Sequence, residues 1–190
     1  MRLFIAIALS EKQKKEVGVL QNRIKGYLNG VRWVRHETMH LTLRFLGETD
    51  ETRLPELKKA MDETTAGEAR FDFSLRASGV FPGIEKARVL WIGLGDGASL
   101  ITALAEKLNQ KLTNRGFVPE KRPFRPHLTI GRLRYPLPED EIKKFINDEI
   151  SFLGSSMIVR EITLFKSILS RHGAVYHPLY HSMLQKSDLQ

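Results

Sequence analysis

One short pattern occurs twice in this chain, and the two copies stand 87 residues apart. The copies are His40-Leu41-Thr42-Leu43 and His127-Leu128-Thr129-Ile130. Successive side chains of a β-strand point to opposite faces. Each copy therefore predicts a strand that buries its aliphatic residues and presents one imidazole and one hydroxyl on the other face. A single His-x-Thr is weak in a chain with six histidines, and the plain alternative is a solvated strand face. Two matched copies make coincidence a poor explanation.

The same offset relates other parts of the chain. Shifted by 87 positions, the strand-like residues 3–9 fall on 90–96, and residues 71–81 fall on 158–168. Helical patterns lie between them at Ser10–Tyr27, Pro55–Thr65, Ala98–Arg115 and Pro138–Glu149. The order strand, helix, motif strand, helix, strand thus occurs twice, which predicts an internal duplication over about 2–81 and 89–168. Residues 174–182 predict one more strand, in which Pro178 favours an edge or a bulge.

Local signals support these helices. Ser10 followed by Gln13 fits a capping box at the first helix. Gly116 stands where a left-handed residue is expected to end the third helix. Pro138 fits the first position of the fourth helix, ahead of an acidic first turn.

The duplication predicts an α+β fold in which residues 1–190 form one bilobal domain. We expect two pseudo-symmetric lobes of about ninety residues, each with a mainly antiparallel sheet and with helices on its outer face. The segment Phe81-Pro82-Gly83-Ile84 is the best candidate for the connection between the lobes. A cleft between the lobes, lined by one tetrad from each, is the expected active site.

Composition narrows the class of protein. The chain has no cysteine, so thiol catalysis, disulfides and zinc-thiolate sites are excluded. It is 42% hydrophobic without an apolar run long enough to span a membrane. The apolar stretch Leu3–Leu9 faintly imitates a signal peptide, but we interpret it as the first strand. These features predict a cytoplasmic protein with no membrane partner, and we expect a monomer.

The chain is strongly basic, with a formal net charge of +8. Much of this charge surrounds the second tetrad, at Arg115, Lys121, Arg122, Arg125, Arg132 and Arg134. An anionic partner, above all RNA or a nucleotide, would be attracted to such a region. The alternative is a basic surface that only aids solubility.

Two histidines and two threonines suit the cleavage of a phosphodiester. The ordinary pKa of histidine, about 6.5, allows one copy to be neutral and another protonated at the same pH. One imidazole can then take a proton from the attacking oxygen while the other gives a proton to the leaving oxygen. The threonine hydroxyls can donate hydrogen bonds to the non-bridging oxygens. This chemistry requires neither a metal nor an organic cofactor, and we expect none.

At these residues the chain resembles a known family, the 2H phosphoesterases, and within it the LigT-like RNA 2′,3′-cyclic phosphodiesterases, also called 2′-5′ RNA ligases. The resembling segments are residues 2–7, 40–47, 81–82, 88–91 and 125–132. The family's fold of two pseudo-symmetric α+β lobes around a cleft agrees with the duplication. The resemblance implies hydrolysis of 2′,3′-cyclic phosphate ends of RNA or of cyclic nucleotides to 2′-phosphomonoesters.

The resemblance also implies a role for each tetrad residue. His40 would be the proton donor that releases the 3′ oxygen, and His127 the proton acceptor that activates water. Thr42 and Thr129 would hold the phosphate. The spacing alone leaves donor and acceptor interchangeable, because the two half-sites are nearly symmetric.

Further residues are candidates for substrate binding. Arg44 shares strand parity with His40 and is predicted to face the cleft. In a regular strand Arg132 would face away from His127 and Thr129, but a bulge at Gly131 would turn it toward the site. For both arginines a structural ion pair is an equal alternative. Arg125 is a further candidate.

Four aromatic residues, Trp33, Phe45, Phe81 and Trp91, could stack on a base, although strand aromatics more often belong to the core. Phe81 is the best stacking candidate because we place it in a loop, whereas Phe45 has core parity. Among the other histidines, His36 would only end a turn. His172, His177 and His181 gather near the C-terminus, and the shared parity of His177 and His181 leaves a metal site as a minor alternative.

Three functions stay open from the residues and the resemblance. The first is the cyclic phosphodiesterase. The second is the ATP-independent joining of RNA ends through a 2′-5′ linkage, which would use the same histidines in the reverse reaction. The third is a catalytically idle RNA-binding module. No P-loop or lysine-nucleophile motif supports an ATP-driven ligase.

Overall fold

The computed structural model describes residues 1–149, 152–171 and 173–186. In this part of the chain the strands are β1 (Arg2–Ala8), β2 (Val31–Trp33), β3 (His40–Glu48), β4 (Phe71–Phe73), β5 (Leu75–Phe81), β6 (Val89–Leu94), β7 (Leu128–Leu133), β8 (Met157–Val159), β9 (Glu161–Ser170) and β10 (Gly173–Met183). The α-helices are α1 (Glu11–Lys25), α2 (Leu54–Thr65), α3 (Ala98–Thr113) and α4 (Glu139–Glu149). The four predicted helices are confirmed to within two residues at each end.

Two of the predicted helix ends have the expected local chemistry in part, whereas Pro138 lies one residue before α4 and not at its first position. The Ser10 hydroxyl accepts a hydrogen bond from the backbone N–H of Gln13 at 3.2 Å, as an N-cap does. The Gln13 side chain does not complete the capping box, because the backbone N–H of Ser10 donates to Met157 Sδ at 3.3 Å, and the Gln13 amide donates to the carbonyl of Ser155 at 2.9 Å. Gly116 has a φ of 75°, the left-handed conformation that stops the third helix.

Two four-stranded sheets with α-helices packed on them form two lobes. The first sheet has the order β10-β9-β1-β3 and the second has the order β2-β7-β6-β5, and every pair in both is antiparallel. Helices α2 and α3 pack on the first sheet, and α4 packs on the second. Helix α1 is tied to the second sheet by the Gln21 amide, which donates to the carbonyl of Ile130 at 2.8 Å. This is the predicted α+β architecture of two similar lobes.

The lobes are not the two halves of the sequence, which corrects one prediction. Strand β5 from the first half pairs with β6, and β9 from the second half pairs with β1. Each half therefore gives its last strand to the other lobe. The predicted crossing at Phe81–Ile84 is wrong, because this segment joins two neighbouring strands of one sheet and the Arg88 N–H donates to the Phe81 carbonyl at 2.7 Å.

Two predicted strands are each divided in two by this exchange. Residues 71–81 form β4 and β5, and residues 158–168 fall in β8 and β9. Strands β4 and β8 pair only with each other, as a two-stranded sheet. Strand β2 was not predicted, because three residues are too few to show an alternating pattern.

The aliphatic residues of both tetrads are in the core as predicted. Leu41, Leu128 and Ile130 are fully buried, and Leu43 is nearly so. The edge strand β10 has a bulge just after Pro178, in agreement with the prediction for that proline. No helix among the described residues has both the length and the apolar character needed to cross a bilayer.

Candidate active site

The first tetrad holds its imidazole with a backbone carbonyl and a cluster of rings. The Nδ1 atom of His40 lies 2.6 Å from the carbonyl oxygen of Thr38. A carbonyl can only accept, so Nδ1 carries the proton. The His40 ring lies 4.7 Å from the ring of Phe4 and makes an edge contact with Tyr176 at 5.1 Å. These contacts fix the ring and leave Nε2 without a hydrogen bond to any described residue.

The second tetrad repeats this arrangement. The Nδ1 atom of His127 lies 2.6 Å from the carbonyl oxygen of Arg125, again two residues earlier in the chain. The His127 ring makes an edge contact with Phe81 at 4.9 Å, and Phe81 lies 5.2 Å from Trp91. The backbone thus supplies the same tautomer to both histidines, with aromatic support on each side.

The polar groups of the tetrads that could contact a substrate have no hydrogen-bond partner within the described part of the protein. Neither Nε2 atom of the two histidines and neither hydroxyl of Thr42 and Thr129 makes a hydrogen bond there. Both threonines are half-buried. Strands β3 and β7 contact each other, so the two tetrads belong to one region. Four unengaged polar groups in one region provide two proton-transfer groups and two hydrogen-bond donors.

Burial lowers the pKa of both imidazoles below the ordinary value for histidine. For His40, the hydrogen bond to Thr38 opposes this effect on the pKa but does not cancel it. For His127, burial again has the largest effect on the pKa, the Arg125 carbonyl opposes it, and the positive charge of Arg132 lowers the pKa further. Burial therefore favours the neutral form of both rings in the free protein.

A bulge in β7 turns Arg132 toward the site. Trp91 pairs with Thr129 whereas Leu90 pairs with Gly131, so Ile130 is the extra residue. The side chain of Arg132 is thereby placed on the sheet face that carries Thr129, where its charge reaches His127. The bulge proposed from Gly131 is confirmed. A Cβ atom at Gly131 would lie 2.5 Å from Val31 Cγ1, so glycine fits this crowded position.

An equivalent bulge in β3 overturns the predictions for Arg44 and Phe45. Ala6 pairs with Thr42 and Ile5 with Arg44, which leaves Leu43 as the extra residue. Arg44 is consequently on the helix-covered face with Ile5, not on the face of the tetrad polar groups. Phe45 lies on the site face, where a regular strand would have placed Arg44. Its side chain is 58% exposed.

Arg44 is engaged by the loop that leads to the second tetrad. It is only 6% exposed, and its Nη2 atom donates to the carbonyl of Val118. Its Nη1 atom lies 3.2 Å from a carboxylate oxygen of Glu120. Arg44 thus links strand β3 to the loop between α3 and β7, which is the ion-pair alternative considered for it.

The other substrate-binding candidates are close to His127. Arg125 is exposed and supplies the carbonyl that holds the imidazole, a backbone contribution that the sequence did not reveal. Phe81 packs against the His127 ring and is half-buried. Within the basic cluster, Arg115 is paired with Glu63 at 2.6 Å.

The remaining histidines are spread over the molecule. The His36 ring packs over Gly18 of α1, and His36 begins a short 3₁₀ turn. His177 and His181 face opposite sides of the first sheet, because the bulge after Pro178 reverses their parity, and the prediction that they share a face is wrong. His181 hydrogen bonds to Glu161 at 2.7 Å. His172 lies outside the described residues. Among residues 1–149, 152–171 and 173–186, no three His, Asp or Glu side chains are grouped as metal ligands.

Two parts of the site escaped the sequence interpretation. One is the pair of carbonyls at Thr38 and Arg125, for which sequence contains no signal. The other is the pair of rings that pack on His40, Phe4 and Tyr176. A signal for Phe4 existed, because the 87-residue offset aligns it with Trp91, and the rings of both belong to the aromatic clusters beside the histidines.

Comparison with known proteins agrees with the internal duplication. The profile of the family described as LigT like Phosphoesterase matches residues 7–91 and again residues 92–176. A Thermotoga maritima protein named RNA 2′,3′-cyclic phosphodiesterase is 34% identical over 97% of this chain and 96% of its own length. A Methanothermobacter thermautotrophicus protein of the same name is 32% identical over 93% of this chain and 95% of its own length.

Solved structures show the same architecture. A Thermus thermophilus crystal structure superposes with a TM-score of 0.82 at 28% identity and covers 98% of this chain and 99% of its own. Escherichia coli LigT, crystallised with 3′-AMP, shares the fold with a TM-score of 0.78 at 24% identity, covering 97% of this chain and 98% of its own. The fold and the paired tetrads define a two-histidine phosphoesterase. The chain belongs to the LigT-like phosphoesterase family.

Proposed function

We propose that this protein hydrolyses 2′,3′-cyclic phosphate ends of RNA, and the corresponding cyclic nucleotides, to 2′-phosphomonoesters. The observation that carries the proposal is the matched pair of imidazoles, each with Nδ1 bound to a carbonyl and Nε2 unengaged. The names of relatives that match nearly the whole chain support the same substrate. RNA is accordingly the expected partner.

In the proposed reaction, Nε2 of His127 takes a proton from water as the water oxygen attacks phosphorus. The bond between phosphorus and O3′ breaks, and protonated Nε2 of His40 gives its proton to O3′. The phosphate stays on O2′. The chain ends the cycle with His127 protonated and His40 neutral, and exchange with solvent restores both.

The surroundings of the histidines favour this polarity. Burial lowers the pKa of His127, and the positive charge of Arg132 lowers it further, which favours the neutral form that a proton acceptor needs. His40 has no such cation among the causes that shift its pKa, and a bound anionic phosphate would raise its pKa toward the protonated form. Thr42 and Thr129 would donate hydrogen bonds to the non-bridging oxygens, where negative charge develops. Arg132, Arg125 and Phe81 would complete the binding of the terminal nucleotide.

The decisive experiment incubates the purified, EDTA-treated protein with each of the four 2′,3′-cyclic nucleotides and separates 2′- from 3′-monophosphates. We expect 2′-monophosphates only, without added metal. A 3′-monophosphate product or a strict metal requirement would contradict the mechanism. Incubation of RNA fragments with 5′-hydroxyl ends would reveal any 2′-5′ joined product.

His40→Ala and His127→Ala should each lower kcat by about 10² to 10⁴, the usual contribution of a positioned acid or base. His177→Ala provides the matched control, because this exposed histidine lies on the helix-covered side of the first sheet. If both tetrad variants turned over like the control, the tetrads would be structural.

The proposal also places the protein in the cytoplasm as a monomer, which cell fractionation and analytical ultracentrifugation would test.

A further inference from the structure

A groove of about 800 Å³ lies beside the candidate active site, between the end of β3 and the loop 116–122. Its lining includes Phe45 from the strand and Val118 and Lys121 from the loop. Nothing in the proposed hydrolysis of a mononucleotide uses this groove. Its composition nevertheless fits a nucleotide, since it combines an exposed aromatic ring with exposed cations.

The Phe45 side of the groove is on the same sheet face as the first tetrad. Phe45 is on the sheet face that carries Thr42. Its ring lies 5.9 Å from the ring of Phe4, which lies 4.7 Å from the ring of His40. Phe4 is buried between these two rings, so an RNA strand whose terminal phosphate is at His40 would reach Phe45 across the sheet face that Thr42 and Phe45 share.

Phe45 is unusual in its exposure. Its side chain is 58% accessible, in contrast to its neighbour Phe4 at 2%. An exposed aromatic ring beside a nucleotide site provides a flat surface for a base, and stacking of this kind tolerates any base. The bulge at Leu43 is what delivers the ring to this face.

The charges of the groove indicate how a nucleotide would lie in it. Two of its arginines are already engaged, Arg44 by Glu120 and Arg53 by Glu56. Lys121 and Arg122 are exposed and form no ion pair with any described residue. The carboxylates in the lining on the β3 side are Glu48 and Asp50. A phosphate is thus attracted to the loop side, and the uncharged base is left to the strand side.

We propose that this groove is a second nucleotide subsite, which binds the nucleotide preceding the cyclic-phosphate terminus of an RNA. Its base stacks on Phe45, and the phosphate that joins it to the terminal nucleotide lies near Lys121 and Arg122. This inference rests on the proposed function, and it makes short oligonucleotides better substrates than mononucleotides.

The test compares kcat/KM for 2′,3′-cyclic AMP with kcat/KM for the dinucleotide ApA that ends in a 2′,3′-cyclic phosphate. The wild-type protein should prefer the dinucleotide by about tenfold, which is within the range of about 5-fold to 150-fold that one stacked base contributes. Phe45→Leu should lower this ratio about tenfold, and Phe45→Trp should preserve it. Because Phe45 is exposed, neither change should alter the melting temperature, and thermal unfolding of both variants checks this.

The double variant Lys121→Ala/Arg122→Ala should also lower the ratio and reduce the salt dependence of dinucleotide hydrolysis. Lys12→Ala/Lys15→Ala on the exposed part of α1 removes the same charge elsewhere and should leave the ratio unchanged. A wild-type ratio near one, or a ratio that neither groove variant changes, would overturn the subsite. Failure to hydrolyse either substrate would instead overturn the proposed function.

Discussion

His127 donates its Nδ1 proton to the carbonyl oxygen of Arg125 over 2.6 Å, and no carboxylate is involved in this contact. A carboxylate partner would raise the pKa of the imidazole and stabilise its charged form. A carbonyl fixes the tautomer without adding a negative charge. The same contact between His40 and Thr38 gives the protein two oriented histidines that burial can keep neutral.

The first prediction concerns the pH dependence of catalysis. One imidazole must be neutral and the other protonated, and burial lowers both pKa values. The bell-shaped profile of kcat/KM for a cyclic nucleotide should therefore have its maximum below about pH 6.5, the ordinary pKa of histidine. Steady-state rates between pH 4.5 and 8.5 measure it. A maximum above pH 7.5 would contradict the lowering of both imidazole pKa values by burial.

The second prediction isolates the effect of Arg132. Its positive charge lowers the pKa of His127, so Arg132→Gln should raise that pKa and move the corresponding limb of the rate profile to higher pH. Titration of the His127 ring protons by NMR measures the change directly. Lys12→Gln removes an equal charge from the exposed surface of α1 and should not shift the titration. An unchanged His127 pKa in Arg132→Gln would show that the arginine points away from the site.

The third prediction concerns stability as a function of pH. The folded pKa of His40 lies below its unfolded value, so below about pH 6.5 the unfolded chain binds the proton first. The free energy of unfolding should be highest above this pH and should fall as the pH decreases toward the folded pKa. Urea unfolding at a series of pH values measures this slope. His40→Asn should have a flatter slope over the same range, and an equally steep one would assign the effect to other groups.

The fourth prediction concerns Arg44. Its removal would leave Glu120 and the Val118 carbonyl without their buried partner, so Arg44→Ala should lower the free energy of unfolding by about 1–3 kcal/mol. Arg44→Lys should restore only part of it, because lysine cannot reproduce two directed contacts. Urea unfolding gives the stability, and kcat and KM for a cyclic nucleotide test the alternative role. Full stability combined with a large rise in KM would favour direct substrate binding by Arg44.

The fifth prediction tests the bulge in β7. Gly131→Ala places a methyl group 2.5 Å from Val31, and the resulting displacement should cost about 1–3 kcal/mol of stability and lower activity by moving Arg132. Gly83→Ala is the matched control. A Cβ atom there meets nothing within 4 Å, and the extended backbone accepts any residue. Equal stability of the two variants would show that β2 can move aside without cost.

A face predicted from strand parity was correct for residues that precede a bulge, and it was wrong for residues that follow a bulge the sequence did not reveal. His40 and Thr42 precede the bulge at Leu43 and share a face as predicted. Arg44 and Phe45 follow it, and the sheet faces predicted for them were wrong. Gly131 gave a visible signal for the equivalent bulge in β7. Leu43 gave none, because leucine is equally suited to a regular strand and the bulge is set by pairing with β1.

The sequence by itself determined the repeated order of elements, the four helices, the burial of the tetrad aliphatic residues and the identity of the four polar groups. These properties depend on local periodicity, capping and chemical type, which neighbouring residues decide. Only the tertiary structure decided that the halves exchange strands β5 and β9, that Arg44 is buried and Phe45 exposed, and that backbone carbonyls hold both histidines. Those features arise from pairing between residues far apart in the chain, where a shift of one residue reverses the face that a side chain occupies.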